Sequence, residues 1–309
     1  MTITRRIFVS SPRTEYLDNR RKELKRSIVN EIEALGYEAQ MFDSGGETRG
    51  LPANKGLSWS PTNADAVMKR CVGAAILGFP LWQCQGGTAD KTVSLVTEYC
   101  HYEGAIARTL GLPILPLLDH GVEERVFFNR YGGDPFLTIP AEADRTWVKE
   151  NDFQTFLGRW HNRLKDRKDI FLGYSSEAEG TAKNIATLLS SYEATVLDWQ
   201  DFESGTILEQ IEAAAGRCSA GIFLFTNSDK LKGKGGQAAP RDNVVFEAGY
   251  FVHAKGQQRV LIVREAGAKM PADLGGKIYA PLSDRAKIDP IVRQLESFVK
   301  NLYSYDNSA

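Results

Sequence analysis

A glutamate lies within an otherwise apolar stretch in the last third of the chain. The stretch is PRDNVVFEAGYF, from Pro240 to Phe251, and the glutamate is Glu247. Burying a lone carboxylate is costly unless it has a partner or a chemical task. Arg241 could be that partner in a structural ion pair. A catalytic task is the alternative, because a carboxylate in an apolar shell can strongly stabilise a neighbouring positive charge.

Further residues that could hold a ligand directly follow the apolar, strand-like stretches of the same half of the chain. Ligands of open parallel sheets bind beyond the carboxyl ends of the strands, where several loops converge. The candidate ligand-binding residues are Tyr174, Ser175, Ser176, Trp199, Phe202, Asp229, Arg241 and Asn243.

Composition and charge exclude several other classes of protein. The 309 residues are 42% hydrophobic and 25% charged, which is typical of a globular protein with room for two domains. The formal net charge of -1 disfavours a nucleic-acid partner. No apolar run is long enough to cross a bilayer, and the N-terminal MTITRRIFVSS lacks the features of a signal peptide. We therefore expect a cytoplasmic protein without a membrane partner.

The cysteines and histidines indicate neither a metal site nor a catalytic triad. The four cysteines form no CxxC pair, and the four histidines form no HxxxH or Ser/His/Asp grouping. In a cytosolic protein we expect reduced, mostly buried thiols. These residues are Cys71, Cys84, Cys100 and Cys218, and His101, His120, His161 and His253.

The chain repeats one order of elements twice. IFVSSP and IFLGYSS each begin a strand that leads into a helical run, which extends from Glu15 to Leu35 in the first copy. RCVGAAILGFP and RCSAGIFLFTN then read as wholly apolar strands, and each is followed by a helix containing Glu and Gly. Strands this apolar are covered on both faces, as in parallel sheets flanked by helices. The pattern predicts two flavodoxin-like, doubly wound α/β domains in tandem.

The two copies give the expected domain boundaries. We assign residues 1–131 to the N-terminal domain, 132–167 to a connector and 168–309 to the C-terminal domain. The connector contains an amphipathic stretch whose apolar residues share one helical face. These residues are Phe153, Phe156, Leu157, Trp160 and Leu164.

Five segments of the second copy, in order, resemble the bacterial TIR-like (Toll/interleukin receptor-like) domains, of the STING-associated type once described as predicted nucleotide-binding. They are IFLGYSS, VLDWQDFESGTILEQIEAA, GIFLFTNSDK, APRDNVVFEAGYFVHAKGQQRVLIV and MPADLGG, and they cover about residues 168–302. The resemblance implies cleavage of NAD between nicotinamide and ribose, often in anti-phage defence. It also implies that Glu247 is the essential glutamate, that NAD is a substrate with no other cofactor, and that self-association into a homo-oligomer completes the site.

The resemblance suggests roles for the other candidates, each with a structural alternative. Ser175 and Ser176 could hydrogen-bond ribose or phosphate, or could cap the next helix. Trp199 or Phe202 could stack on a planar base, or Trp199 could pack in the core. Arg241 could meet a phosphate or hold Glu247. Asp242 and Asn243 are expected to cap the helix that carries Glu247.

The first copy also resembles TIR-like and nucleoside deoxyribosyltransferase-like domains, through TEYCHYEGAIARTLGLPILPL. Glu103 takes the place of Glu247 there, and Glu98 precedes it, so these two residues form a possible second site. Thr97 and Tyr99 replace the Arg-Asp-Asn that precedes the glutamate in the second copy. We therefore favour a sensing or assembly role, with a small nucleotide as a candidate ligand, and keep simple packing as the alternative.

Three glycine-rich segments read as loops, of which the first two are long and the third is expected to be a flexible loop that could serve as a lid. They are SGGETRGLPANKGLSWSP, WQCQGGTADKT and GKGGQ, and the last lacks the G-x-x-x-x-G-K-[ST] frame of a phosphate-binding loop.

Three functions remain open from the sequence. The first is an NAD glycohydrolase that yields ADP-ribose or a cyclic ADP-ribose. The second is a nucleoside or nucleotide glycosyl-transferring enzyme that uses the N-terminal domain. The third is a non-catalytic, nucleotide-sensing scaffold.

Overall fold

The computed structural model describes residues 3–42, 58–85, 92–131, 135–198, 206–230, 238–270 and 279–304. The chain divides into two compact units, Thr4–Asp166 and Arg167–Ala309 with Met1–Ile3.

The N-terminal unit is built around one parallel sheet. Its elements are β1 (Arg6–Ser10), α1 (Asn19–Ala34), β2 (Glu38–Gln40), α2 (Pro61–Met68), β3 (Gly73–Gly78), β4 (Pro80–Gln85), β5 (Thr92–Val96), α3 (Glu98–Thr109), β6 (Ile114–Asp119), β7 (Leu137–Ile139) and α4 (Asn151–Lys165). The five-stranded sheet has the order β2-β1-β3-β6-β7, and every neighbouring pair is parallel. This is the flavodoxin-like strand order.

The C-terminal unit repeats this architecture. Its elements are β8 (Lys168–Gly173), α5 (Glu179–Ser191), β9 (Val196–Leu197), α6 (Ile207–Arg217), β10 (Cys218–Phe225), β11 (Asp229–Lys230), β12 (Ala238–Ala239), α7 (Asp242–Lys255), β13 (Val260–Glu265), β14 (Tyr279–Leu282) and α8 (Val292–Asn301). The sheet has the order β9-β8-β10-β13-β14, again all parallel. The predicted fold class is therefore confirmed.

The central strands are buried along their whole length. Every residue of β3 and of β10 is buried, as expected for strands covered by helices on both faces. In the C-terminal unit three rings meet beneath α7: Phe171 and Phe251 stack with centroids 5.1 Å apart, and Phe223 packs edge-on against Phe251 at 5.3 Å. This aromatic cluster packs helix α7 against strands β8 and β10.

The amphipathic helix expected after residue 132 forms as α4. Phe153, Leu157, Trp160 and Leu164 are buried, whereas Phe156 is half-buried. The Trp160 indole donates a hydrogen bond to the Pro113 carbonyl at 3.0 Å. The helix, together with strand β7, belongs to the N-terminal unit.

Two local expectations need correction. The helical run predicted from Glu15 starts later, because Asp18 accepts a hydrogen bond from the Arg21 amide and caps α1 there. The loop predicted at WQCQGGTADKT begins and ends in the antiparallel hairpin strands β4 and β5. Alternating β-formers pair across this hairpin, such as Trp82 with Leu95, and they outweigh the glycine signal. Residues 86–91, at its centre, lie outside the described residues.

The thiols are reduced, and three of them are buried. Burial raises the pKa of Cys100 to about 11 and that of Cys218 to about 12, so both are poor nucleophiles. Cys71 is buried as well, and Cys84 is exposed. Among the described residues, no helix combines the length and apolar character that crossing a bilayer requires, and no group of three His, Cys, Asp or Glu side chains is placed to hold a metal.

Candidate functional site

Helix α7 places Glu247 on its core-facing side. Val244, Ala248 and Phe251 are buried on this face at helical spacing, and Glu247 lies among them with 3% of its surface exposed. A carboxylate thus occupies a position that periodicity assigns to an apolar residue. An ordinary core would exclude it, because desolvation disfavours the charged form. The arrangement marks Glu247 as a candidate for chemistry.

A glycine makes room for this carboxylate at the end of strand β8. A Cβ atom added to Gly173 would lie 2.7 Å from Oε2 of Glu247 and 2.5 Å from Cδ1 of Phe223. Both distances are far below van der Waals contact, so a side chain at this position would displace both neighbours. The signal was present in IFLGYSS, since a glycine that ends a buried strand indicates close approach by another group.

The carboxylate lines a cavity of about 430 Å³ at the carboxyl end of the sheet. That volume falls within the range of about 300–1,000 Å³ that small-molecule sites occupy. The cavity brings together six of the residues singled out in the sequence, which are Tyr174, Ser175, Ser176, Arg241, Asn243 and Glu247. Ile207, Gln210 and Val244 also line it. Sequence reasoning missed Ile207 and Gln210, because their pattern is that of an ordinary amphipathic helix, whereas Val244 lies within the expected range 241–247.

Three hydroxyl groups form a cluster at the ends of β8 and β10. The Ser175 Oγ lies 3.2 Å from the Thr226 hydroxyl and 3.1 Å from that of Ser228, and these two lie 2.8 Å from each other. Ser175 makes no side-chain capping bond to the short helix that follows it. The capping alternative for Ser175 is therefore wrong, because its hydroxyl is engaged across the sheet. Ser176 is exposed at the cavity.

The ring of Tyr174 and the guanidinium of Arg241 flank the cavity. The Tyr174 hydroxyl donates to Oδ1 of Asp198 at 2.7 Å, which orients the ring. Arg241 donates to Oε1 of Glu177 at 3.4 Å, and both side chains are about half exposed. Such an exposed pair contributes little stability, so the guanidinium can turn towards a phosphate at small cost.

The expected capping of α7 by Asp242 and Asn243 is wrong. The helix starts at Asp242, so Arg241 occupies the N-cap position and no side chain caps that turn. A cap requires extended backbone, and here that conformation falls one residue earlier, directly after Pro240. Asp242 still favours the helix through its charge in the first turn, and Asn243 lines the cavity.

Several residues named in the sequence analysis lie outside the part of the chain that the structure describes. Trp199 and Phe202 lie outside the described residues, as do the GKGGQ segment and most of SGGETRGLPANKGLSWSP. Asp229 lies in the two-residue strand β11, but its side chain is outside the described part.

In the N-terminal unit, Glu103 occupies the equivalent position on α3 and is only 4% exposed. Its Oε1 accepts a hydrogen bond from the Trp59 indole at 2.7 Å. Burial raises the pKa of Glu103 to about 7, although the hydrogen bond from Trp59 lowers it. Glu98 is exposed at the start of α3, and Trp82 donates to it at 3.4 Å. The two glutamates of the possible second site are therefore in different environments.

The raised pKa of Glu103 predicts how the stability of the N-terminal unit depends on pH. The folded unit binds the proton of the Glu103 carboxyl group more tightly than the unfolded chain does. The contribution of this proton to the free energy of unfolding is therefore full below pH 4.5 and is lost as the pH rises through 7. At 1.36 kcal/mol per pKa unit, the loss is on the order of 3 kcal/mol. Urea unfolding followed by tryptophan fluorescence measures it, since four of the five tryptophans precede residue 167. The E103Q variant should lose this pH dependence, and an equal slope in E103Q would contradict the assignment.

A family model described as the TIR domain of CAP12/Pycsar effector proteins matches residues 169–284. Pycsar effector protein BcPycTIR of Burkholderia cepacia is 27% identical over 181 residues, which are 55% of this chain and 57% of that protein. CD-NTase-associated protein 12 of Lachnospiraceae bacterium (strain RUG226) is 34% identical over 111 residues, 35% of each chain. The uncharacterized protein YuaY of Escherichia coli (strain K12) is 30% identical over 145 residues, 43% of this chain and 48% of that protein.

This chain thus spans about half the length of two of these curated relatives and about a third of the other. Among solved structures, a putative sugar binding protein from Salmonella typhimurium LT2 aligns over 97% of this chain and 88% of that chain, at 13% identity and a TM-score of 0.25. That score is too low to support a conclusion. The family match covers Gly173, Glu247 and every residue that lines the cavity. Residues 169–284 are therefore similar to the TIR domain of CAP12/Pycsar effector proteins.

Proposed function

We propose that the C-terminal unit cleaves NAD at the bond between nicotinamide and ribose, with Glu247 as the catalytic carboxylate. The observation that carries the proposal is a carboxylate that is 3% exposed and yet lines a cavity of about 430 Å³. It lies where the strands of a parallel sheet end, which is the usual ligand position in this fold. NAD is the substrate in this proposal, and the reaction needs no other cofactor.

The chemistry fits a single carboxylate. When the glycosidic bond breaks, its electron pair moves to the pyridinium nitrogen, and nicotinamide leaves as a neutral molecule. No general acid is needed for that departure. The ribose becomes oxocarbenium-like, and a carboxylate beside it is more stabilising in the transition state than in the ground state. The apolar surroundings of Glu247 strengthen this interaction by excluding water.

The second half of the reaction decides the product. Attack by water at the ribose C1′, with loss of one proton to solvent, gives ADP-ribose. Attack by a nitrogen of the substrate's own adenine gives a cyclic ADP-ribose instead. Both outcomes begin with the same bond cleavage at the same carboxylate, so Glu247 is required for either.

The other residues of the cavity are proposed to bind the substrate. The hydroxyl of Ser175, held between Thr226 and Ser228, suits a ribose hydroxyl or a phosphate oxygen. The half-exposed guanidinium of Arg241 suits a phosphate of NAD. The Tyr174 ring, fixed by Asp198, offers a surface for a planar group.

A role in bacterial anti-phage defence is also part of the proposal. Two of the relatives are named as a Pycsar effector protein and a CD-NTase-associated protein. We expect this chain to act as an effector that depletes NAD, and to assemble through its TIR-like domain into a homo-oligomer.

Glycosyl transfer by the N-terminal unit is less well supported. The carboxylate of Glu103 already accepts a hydrogen bond from Trp59, and a pKa of about 7 leaves much of it protonated near neutral pH. The carboxyl group of Glu103 is therefore a weak nucleophile near neutral pH.

Incubating the purified full chain with NAD and measuring free nicotinamide tests the proposal. We expect release of nicotinamide, at a rate per molecule that rises with protein concentration if self-association completes the site. The measurement should span dilute to concentrated protein, with and without a crowding agent. Absence of nicotinamide under all these conditions would favour a non-catalytic scaffold instead.

A further inference from the structure

The hairpin of strands β4 and β5 is a small sheet of its own in the N-terminal unit. It is two-stranded and is not part of the five-stranded sheet. Residues 82–85, the last four of β4, are all exposed, and successive side chains of a strand point to opposite faces. Both faces of this strand are therefore in contact with solvent. A two-stranded ribbon in water is only marginally stable and usually needs a further strand or a packing surface.

Among the described residues, the hairpin has one open edge. On the β5 side, Ser94 forms a parallel bridge with Val122, and its carbonyl accepts a hydrogen bond from the Glu123 amide at 2.9 Å. On the β4 side, no strand of the described ranges is paired. An edge of this kind presents a row of N–H and C=O groups to which another strand can bind.

The sequence of this edge lacks the features that usually prevent strand pairing. Natural edge strands carry charged side chains, prolines or bulges for that purpose. In β4, Pro80 and a bulge between Pro80 and Trp82 protect only the first positions. The rest of the strand, WQCQ, has no charge, and neither has TVSLV of β5. From Trp82 onwards, the edge is therefore compatible with a further strand.

Symmetry and side-chain chemistry favour a second copy of this chain as the partner. Because each hairpin has one open edge, antiparallel pairing of two β4 strands about a two-fold axis uses both edges and closes as a dimer. With the axis at Cys84, Gln83 of each copy lies opposite Gln85 of the other copy. Glutamine amides both donate and accept hydrogen bonds, so these cross-strand pairs are self-complementary.

Exposed aromatic rings accompany the open edge. Trp82 lies in β4 itself, is 51% exposed and donates from its indole to Glu98 at 3.4 Å. Tyr99, which follows Glu98 at the start of α3, is 49% exposed. Tryptophan and tyrosine are the residues most enriched where proteins bind each other. Burial of these rings would add apolar contact to the backbone hydrogen bonds of the paired strands.

We propose that the N-terminal units of two copies form a two-fold dimer in which their β4 strands pair antiparallel, centred on Cys84, to give a four-stranded sheet of order β5-β4-β4-β5. No covalent bond forms between the copies. The two Cys84 side chains lie on the same face, with Cβ atoms about 4.5–5.5 Å apart. The contact goes beyond the proposed NAD cleavage and is separate from assembly through the TIR-like domain.

Cross-linking of the full chain through Cys84 tests the proposal. Cys71, Cys100 and Cys218 are buried, so a short bis-maleimide reagent reacts with the native protein at the exposed Cys84. We expect a covalent dimer whose yield rises with protein concentration, measured by denaturing electrophoresis. The C84S variant is the control for reaction at any other residue and should give no covalent dimer.

Two charge variants of the same strand test the predicted register. In Q83K/Q85K, like charges lie directly opposite each other across the two-fold axis, whereas in Q83K/Q85E opposite charges do. We expect Q83K/Q85K to need at least about tenfold more protein than Q83K/Q85E for the same yield of covalent dimer. Both variants place two charges at exposed positions, so circular dichroism should show the same fold in each.

Two results would overturn the proposal. One is no Cys84-linked dimer of the unmodified chain at any protein concentration, as expected if the edge stays unpaired or receives a strand of another protein. The other is equal cross-linking of Q83K/Q85K and Q83K/Q85E, as expected if the copies meet through other surfaces. Every readout is made without NAD, so a failure here is distinguishable from a failure of the proposed cleavage at Glu247.

Discussion

Replacing Glu247 by glutamine is expected to lower the rate of nicotinamide release from NAD by about 100- to 1,000-fold, the typical effect of removing one preorganised electrostatic group. Glutamine keeps the volume and the planar end of the side chain, so the close approach to Gly173 is preserved. Only the charge that faces the developing ribose cation is removed. The loss should fall mainly on kcat, because the interaction is strongest in the transition state.

The same variant should be as stable as the parent or more stable. A carboxylate that is 3% exposed is desolvated, and a neutral amide of equal shape relieves that cost. Loss of activity together with an unchanged or higher Tm indicates a residue that serves activity at a cost in stability. A purely structural glutamate would show the reverse pattern.

The control is E212Q, which removes an exposed carboxylate from the neighbouring helix α6 of the same unit. It changes the net charge by the same amount and should leave nicotinamide release unchanged. If E247Q, with a normal fold and assembly state, consumed NAD at the parent rate, Glu247 could not be the catalytic carboxylate.

The sequence was sufficient to predict the fold, because each sheet depends on local and repeated features. Wholly apolar strands such as GAAILG and CSAGIFLF require cover on both faces, and this requirement leads directly to a parallel sheet with flanking helices. Because the same pattern occurs twice in the sequence, it also predicts a second unit with the same fold. What failed was local backbone detail, such as the cap of α7 and the hairpin of β4 and β5. These details depend on alternative local backbone conformations that differ little in free energy.

The placement of the candidate site could be predicted only in part. Glu247 could be selected as a candidate because its charge interrupts an apolar periodicity. The serines could be selected because they directly follow a strand. The partners that determine geometry come from distant parts of the chain. Thr226 and Ser228 meet Ser175 only because β8 and β10 are neighbours in the sheet, and Trp59 meets Glu103 across 44 positions. Such contacts depend on the three-dimensional arrangement, which no local pattern specifies.

Replacing Gly173 by alanine is the substitution for which we expect the second-largest loss of activity, about 100-fold, although residue 173 has no side chain to take part in catalysis. The added Cβ would lie 2.5 Å from Phe223 and 2.7 Å from the Glu247 carboxylate. Both groups must shift: Phe223 is held by its packing against Phe171 and Phe251, so its movement costs stability, and the carboxylate is displaced as well. A displacement of about 1 Å is enough to cost about 100-fold in rate.

Stability and non-additivity distinguish this positioning role from catalysis and from general damage. G173A should lower the Tm, because overpacking costs about 1–3 kcal/mol, whereas E247Q should not. The double variant G173A/E247Q should be no less active than E247Q alone, since Gly173 acts through Glu247. The matched control is G249A on α7, where an added Cβ meets nothing within 4 Å and activity should persist. Full activity in G173A would contradict the role, because it would mean that the carboxylate can move away from β8 and still serve the reaction.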